Sequence, residues 1–392
     1  MDRASRGPRD PYGGERRIEG MRRLLPLLLL ALIPVPSAAL ADGCPPSTCG
    51  TTSSARPGSN LLFVRPSGQQ GPLHAFDLRT GARRFTLPNG VLSADGRTFV
   101  SSAPAKATRT TIARFDARTG KLQRGSSVRG RWNVAGVSAD GSQDVLARYS
   151  RHVTAFRAGG SRYRLRGNYE VEALSPDGRR LFVVHWRRRG YDLQQLDLAS
   201  RALRPTRLDE PDEKMSGTAV NAIATRDGRW LLTLYAKPDG TAFVHALDLR
   251  SGIAHCVDLP LKGDYGSVWS TALAFSPDEQ QLYLASPLLG RVTTVDMRAL
   301  DVASVSRFKP VDAMKFTFGI GPSAAISPNG RMLAFVTARR LWLVDTAFGV
   351  VRGPKVLREN VLGVGFSSNG RQVVAVTAHG RIAFDAATGE RL

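Results

Sequence analysis

The chain has 392 residues, 42% hydrophobic with 39 Gly and 23 Pro, enough for a large core in one repeat-built domain or in two ordinary domains. Its 55 Lys and Arg, 47 of them Arg, outnumber 33 Asp and Glu, a balance that attracts anionic partners such as nucleic acid, anionic lipid or acidic wall polymer. An Arg-rich genome gives the same skew and the cations are scattered along the chain, so charge alone assigns no partner.

Residues 1–20 are polar and charged and precede a better start at Met21, so they read as an extension from a mis-assigned translation start. MRRLLPLLLLALIPVPSAALA, residues 21–41, has the three parts of a secretory signal. Arg22 and Arg23 are its charged head. Leu24 to Val35 is apolar but too short and Pro-broken for a membrane span. Ala39-Leu40-Ala41 is a small-x-small cleavage site. Cleavage after Ala41 leaves a charge of +19 and no membrane span, and places the protein in the periplasm, the envelope or outside the cell. Lipidation of Cys44 is the minor alternative, because Ala41 and the charged Asp42 occupy the positions where that processing wants Leu and a small residue.

Residues 42–60 read as a Cys-containing linker. Cys44 and Cys49 bracket CPPSTC, and in an oxidising compartment they suit a small disulfide loop, although three cysteines allow three pairings. Cys256 lies in the strand-like AHCVDL and reads as a buried thiol. No C-x-x-C occurs, so a zinc or thioredoxin-like site is not indicated.

From residue 61 two phrases alternate. The first is a turn: Ser93-Ala-Asp-Gly96, Ser138-Ala-Asp-Gly141, Ser175-Pro-Asp-Gly178, Thr225-Arg-Asp-Gly228, Ser276-Pro-Asp-Glu279, Ser327-Pro-Asn-Gly330 and Ser367-Ser-Asn-Gly370. Its acidic or amide position recurs every 37–51 residues, a repeat period. Pro or Ala sets the corner, Asp or Asn tolerates unusual dihedrals and Gly accepts positive φ. Strand-like runs flank it, such as VEALS before and RRLFVVHW after. The second phrase is a strand closing on Asp and a tight turn, as in HAFDLRTG (74–81), HALDLRSG (245–252) and IAFDAATG (382–389). The closing residues Asp77, Asp116, Asp197, Asp248, Asp296, Asp345 and Asp385 recur once per unit and read as turn caps, not catalysts. Four short antiparallel strands per unit make a propeller blade. Seven first turns are visible. A strand set at 61–87 precedes them, with a worn turn at Arg56-Pro57-Gly58, and the chain closes on a last strand at Glu390-Arg391-Leu392. The fold expected is an all-β propeller at 61–392, with eight blades favoured over seven, and a monomer.

This unit resembles the YVTN-type repeat of the β-propeller superfamily and, more loosely, the WD repeat, of which only the closing Asp is present. Gly321-Pro322 before AAISPNG matches the Gly-Pro that often opens such a blade. The resemblance implies the fold. It also admits propeller enzymes, similar to lactonases or quinone-dependent dehydrogenases, with a metal or cofactor at the channel mouth.

Antiparallel alternation sends both tight turns to one face. The longer connections share the other face: 101–111, 186–192, 208–219, 235–242, 260–270 and 309–322. Binding residues favour such loops. The candidate ligand face is Trp186, Arg187, Arg188 and Arg189 with Lys262, Tyr265 and Trp269, a set suited to an anionic or sugar-like ligand. The acidic run Asp209, Glu210, Asp212 and Glu213 lacks calcium-loop spacing. Of six His (74, 152, 185, 245, 255, 379), none is paired at metal spacing, and no nucleophile elbow, P-loop or dinucleotide motif occurs. No catalytic residue, metal ligand or cofactor is therefore assigned. The function expected is a non-enzymatic exported module or scaffold that binds a protein or anionic envelope polymer and not nucleic acid.

Overall fold

The computed structural model describes residues 53–55, 60–65, 71–106, 108–150, 152–187, 190–209, 216–311 and 322–392. Its strands form eight separate antiparallel sheets in chain order, at 53–87, 90–129, 133–166, 169–205, 218–262, 272–307, 323–356 and 361–392. Each sheet is a simple meander from an inner first strand to an outer last one, and the eight make an eight-bladed β-propeller. The Cys44–Cys49 pair and the worn turn at 56–58 lie outside the described residues. The inner strand of blade 1, Ser53–Ala55, comes from the segment read as linker and pairs with Leu61–Val64.

The first turn phrase is built identically seven times. The Ser or Thr hydroxyl donates to the Asp or Asn two residues on, at 2.5–2.8 Å. That same side chain accepts the amide two residues further, at 2.9–3.2 Å. The hydroxyl in turn accepts the amide that opens the next strand, at 2.9–3.0 Å. In the second phrase each of the seven closing Asp side chains caps its turn by accepting the amide two residues on, at 2.7–3.0 Å.

Inner strands carry small residues because eight of them crowd one axis. Ala272–Phe275 and Ser323–Ile326 are buried at every position. The tight-turn ends crowd too: a Cβ on Gly228, at φ +65°, would lie 2.3 Å from Ala139 Cβ in the turn of blade 3. Ring closure is apolar. Leu62, Val64 and Phe76 of blade 1 pack with Val374 and Val376 of blade 8 in one buried cluster. Blade 8 completes its fourth row with a bridge from Arg391 to Phe384 and the Leu392 amide donating to Ala383 carbonyl at 3.0 Å.

Three connections expected as loops are ordered differently. Residues 101–111 are the end of a long hairpin, Thr98–Lys106 with Arg109–Asp116, because pairing satisfies a run too polar to read as strand. The outer strand Ile253–Lys262 of blade 5 runs well into the 260–270 connection, and a short helix, Tyr265–Trp269, follows with Asp264 as its N-cap. The connection into blade 5 lays Arg207–Leu208 in parallel against Ile253–Ala254, giving that blade a fifth strand.

Candidate functional site

The sequence-proposed ligand residues divide between two blades. Trp186 ends the second strand of blade 4, Arg180–Trp186, and is half-buried against the core between blades 4 and 5. Its indole donates to Glu170 Oε2 at 3.2 Å and its ring meets Tyr191 at 5.3 Å. Arg187 is exposed and paired with Asp192 at 2.6 Å. Arg188 and Arg189 lie outside the described residues. Lys262 ends the outer strand of blade 5 opposite Thr241. Tyr265 is half-exposed on the short helix, whereas Trp269 packs against the core between blades 5 and 6. Both indoles thus have packing roles. In the acidic run, Asp209 pairs with His255 at 2.9 Å, and residues 210–213 lie outside the described part.

The channel side holds a group that the sequence did not mark. Glu172, on inner strand Tyr169–Leu174, is fully buried. Its Oε1 accepts from Thr233 of blade 5 at 3.3 Å, and its Oε2 has no hydrogen-bond partner among the described residues. Burial pushes this carboxyl up to about 7, with the Thr233 bond opposing. It lines a cavity of about 60 Å³ whose walls are otherwise mostly apolar, including Val91, Val137, Leu174 and Leu231. That volume suits a few waters, not a substrate. Farther out in the same seam, burial raises the Tyr235 phenol, with Tyr191 and Glu172 adding. His245, opposite Thr233 in its strand pair, is buried with neither ring nitrogen partnered among the described residues. Burial lowers it to about 4, with the charge of His255 adding. The equivalent His74 instead bonds Thr86 at 2.8 Å. Cys256, opposite His245, is half-buried and carries a thiol. No three His, Cys, Asp or Glu among the described residues converge as metal ligands.

Charge, scattered in the sequence, is sorted by the fold. Blades 2 and 3, residues 90–166, hold 15 Lys and Arg against 4 Asp and Glu, a net +11. Residues 207–307, spanning blades 5 and 6, hold 10 against 13. Of the four acids in blades 2 and 3, Asp95, Asp116 and Asp140 cap turns and Asp144 holds Arg114. The cations of the outer strands, Arg124, Arg129, Arg162, Arg164 and Arg166, therefore have no acid partner among the described residues. Counting charge per repeat, instead of along the whole chain, is the signal that finds them.

No protein-family model matches the chain, and no curated protein matches it. Solved structures similar to it include the dihydro-heme d1 dehydrogenase NirN in complex with DHE, at 16% identity and a TM-score of 0.51 over 86% of this chain and 74% of that one. The Dos1 propeller is similar at 9% identity and a TM-score of 0.51, over 86% and 93%. Hydrazine synthase of Kuenenia stuttgartiensis is similar at 15% identity and a TM-score of 0.42, over 76% and 94%. At such identities the likeness to NirN and the Dos1 propeller is one of fold, and with the eight sheets around one axis it sets this chain among the β-propellers.

Proposed function

We propose that the protein is an exported β-propeller of YVTN-type repeats that acts as a non-enzymatic docking module for an anionic component of the cell envelope. The observation that carries this reading is the net +11 on blades 2 and 3, whose acids are engaged in turns and in ion pairs with Arg97 and Arg114. A surface of one sign recruits partners of the other sign at long range. The signal-like segment at 21–41 supports the compartment. Exposed Arg187, on blade 4, and Lys262, on blade 5, offer a second cationic contact. Expression in the native host tests the proposal. Mature protein starting at Asp42 should co-sediment with envelope material and be released between 50 and 300 mM salt, as weakly buried charge contacts are. Uncleaved protein in the cytosol, or envelope binding indifferent to salt, would contradict it. The alternative, a propeller enzyme with a metal or quinone at the channel mouth, would show instead as a rise in melting temperature with calcium, zinc or pyrroloquinoline quinone.

A further inference from the structure

Blades 2 and 3 meet at their outer rims in a groove of about 410 Å³, lined in part by Arg114, Arg124, Ser126, Gln143 and Arg157. Strand alternation sets a row of cations beside it. On the outer strand of blade 3, Ser161–Arg166, the Tyr163 hydroxyl reaches back to Leu198 carbonyl of blade 4 at 2.6 Å. Arg162, Arg164 and Arg166 therefore point the other way, toward blade 2, as a row of cations about 7 Å apart. Trp132, buried in the connection between the blades, carries two guanidinium groups over its ring, Arg148 at 5.7 Å and Arg162 at 5.3 Å.

Like charges also face each other across the strands. Arg114 opposes Arg124 and Arg157 opposes Arg162. Such pairs work against sheet stability. Among these cations only Arg114 has an acid partner among the described residues, which leaves the others able to take an anion from outside the chain. Gly159 and Gly160, in the hairpin that edges the groove, have open space where a side chain would be, which lets a polymer backbone come close.

We infer that this groove and the arginine row beside it bind a linear polymer bearing phosphate or sulfate groups, one oxyanion per cation of the row. Guanidinium forks match such oxyanions in bidentate geometry, and a polymer with a similar repeat places successive charges on Arg162, Arg164 and Arg166. The inference rests on the docking role proposed above and names its site and ligand chemistry. The groove lies on blades other than those of the Trp186 loop.

The test is binding of purified protein to fluorescein-labelled polyphosphate, heparin and poly-L-glutamate, with one variant at the groove and one elsewhere. The groove variant is R124Q/R157Q/R162Q/R164Q. The control, R298Q/R331Q/R339Q/R371Q, removes the same charge from other blades. The groove variant should lose at least about 30-fold in affinity for polyphosphate or heparin and about three units of salt slope. The control should stay within about threefold. Single exposed changes, Arg124→Gln and Arg164→Gln, should each lose about three- to tenfold and keep the melting temperature of the native chain, which covers failure of the quadruple variant to fold. Equal losses in groove variant and control would overturn the groove and leave the docking role standing. No binding of any polyanion by native protein would overturn both. Poly-L-glutamate bound as tightly as polyphosphate would overturn the preference for phosphate or sulfate over carboxylate. Preference between polyphosphate and heparin then separates phosphate from sulfate as the source.

Discussion

Asp177 accepts from its neighbour Ser175 at 2.5 Å and from the Arg179 amide at 3.1 Å, and Asn329 makes the same two contacts in blade 7. Geometry, not charge, is what the position requires. Asp177→Asn should change stability by less than about 0.5 kcal/mol, whereas Asp177→Ala should cost about 1–2 kcal/mol by urea unfolding. Two departures from the phrase compensate each other. Glu279 stands where the other turns have Gly, at φ +58°, and Arg226 stands where they have Pro, Ala or Ser. Glu279 accepts the Arg226 amide at 3.1 Å and pairs with its guanidinium at 3.2 Å, tying blade 5 to blade 6. Glu279→Gly relieves the left-handed backbone while losing these bonds, so it should lie near neutral, and Glu279→Ala should cost about 1–2 kcal/mol because it keeps the backbone cost and loses the bonds.

Glu172 and His245 give the buried seam opposite pH responses. The Glu172 carboxyl rises from its ordinary 4.5 to about 7, so the fold favours its protonated form; that contribution is whole below 4.5 and is lost as pH rises through 7. His245 falls from 6.5 to about 4, so the fold favours its neutral form; that contribution is present above 6.5 and is lost as pH falls through 4. Each amounts to about 3 kcal/mol, and between pH 4.5 and 6.5 they oppose each other. Stability of Glu172→Gln should therefore climb with pH across this window, and that of His245→Gln should decline. Parallel curves for the two variants and the native chain would show that neither group is buried as described.

At the scale of the strand, the arginine pairs set stability against binding. Arg157→Thr replaces a like-charge pair with a strand-favouring side chain, and should raise stability by about 0.5 kcal/mol while weakening polyanion binding. Thermal melts and binding assays on one sample decide this. Elements differ in how far their sequence announces them. The strands beside the Ser-x-Asp-Gly turns are legible because β-branched and aromatic residues alternate there. The hairpin at 98–116 is not, since its Ser, Ala, Lys and Thr pair only because a whole blade supports them. The two-residue parallel strand at Arg207–Leu208 and the five-residue helix at Tyr265–Trp269 are too short to carry a period.

Over the whole molecule, repetition made the fold readable: each of two turns with local chemistry recurs in seven of the eight units, and the eight close one ring. The ligand face was not readable in the same way. Arg124 and Arg157 are far apart in sequence and line one groove only when blade 3 is laid against blade 2. Glu172 occupies a polar beat of an alternating strand, and the neighbouring blade buries it. Closure through Leu62, Val374 and Val376 makes the ring one cooperative unit. Leu62→Ala should cost about 2–5 kcal/mol and preserve a single unfolding transition seen equally by fluorescence and circular dichroism.

Polyphosphate affinity of the native chain, measured from 50 to 300 mM salt, bears most directly on the proposed docking role. Four to five phosphate contacts give a slope of log affinity against log salt of about −3. A slope near that value, with binding abolished at the upper end, is the expected result. Affinity that is absent throughout, or that scarcely changes over the range, would contradict a function carried by the cationic face of blades 2 and 3.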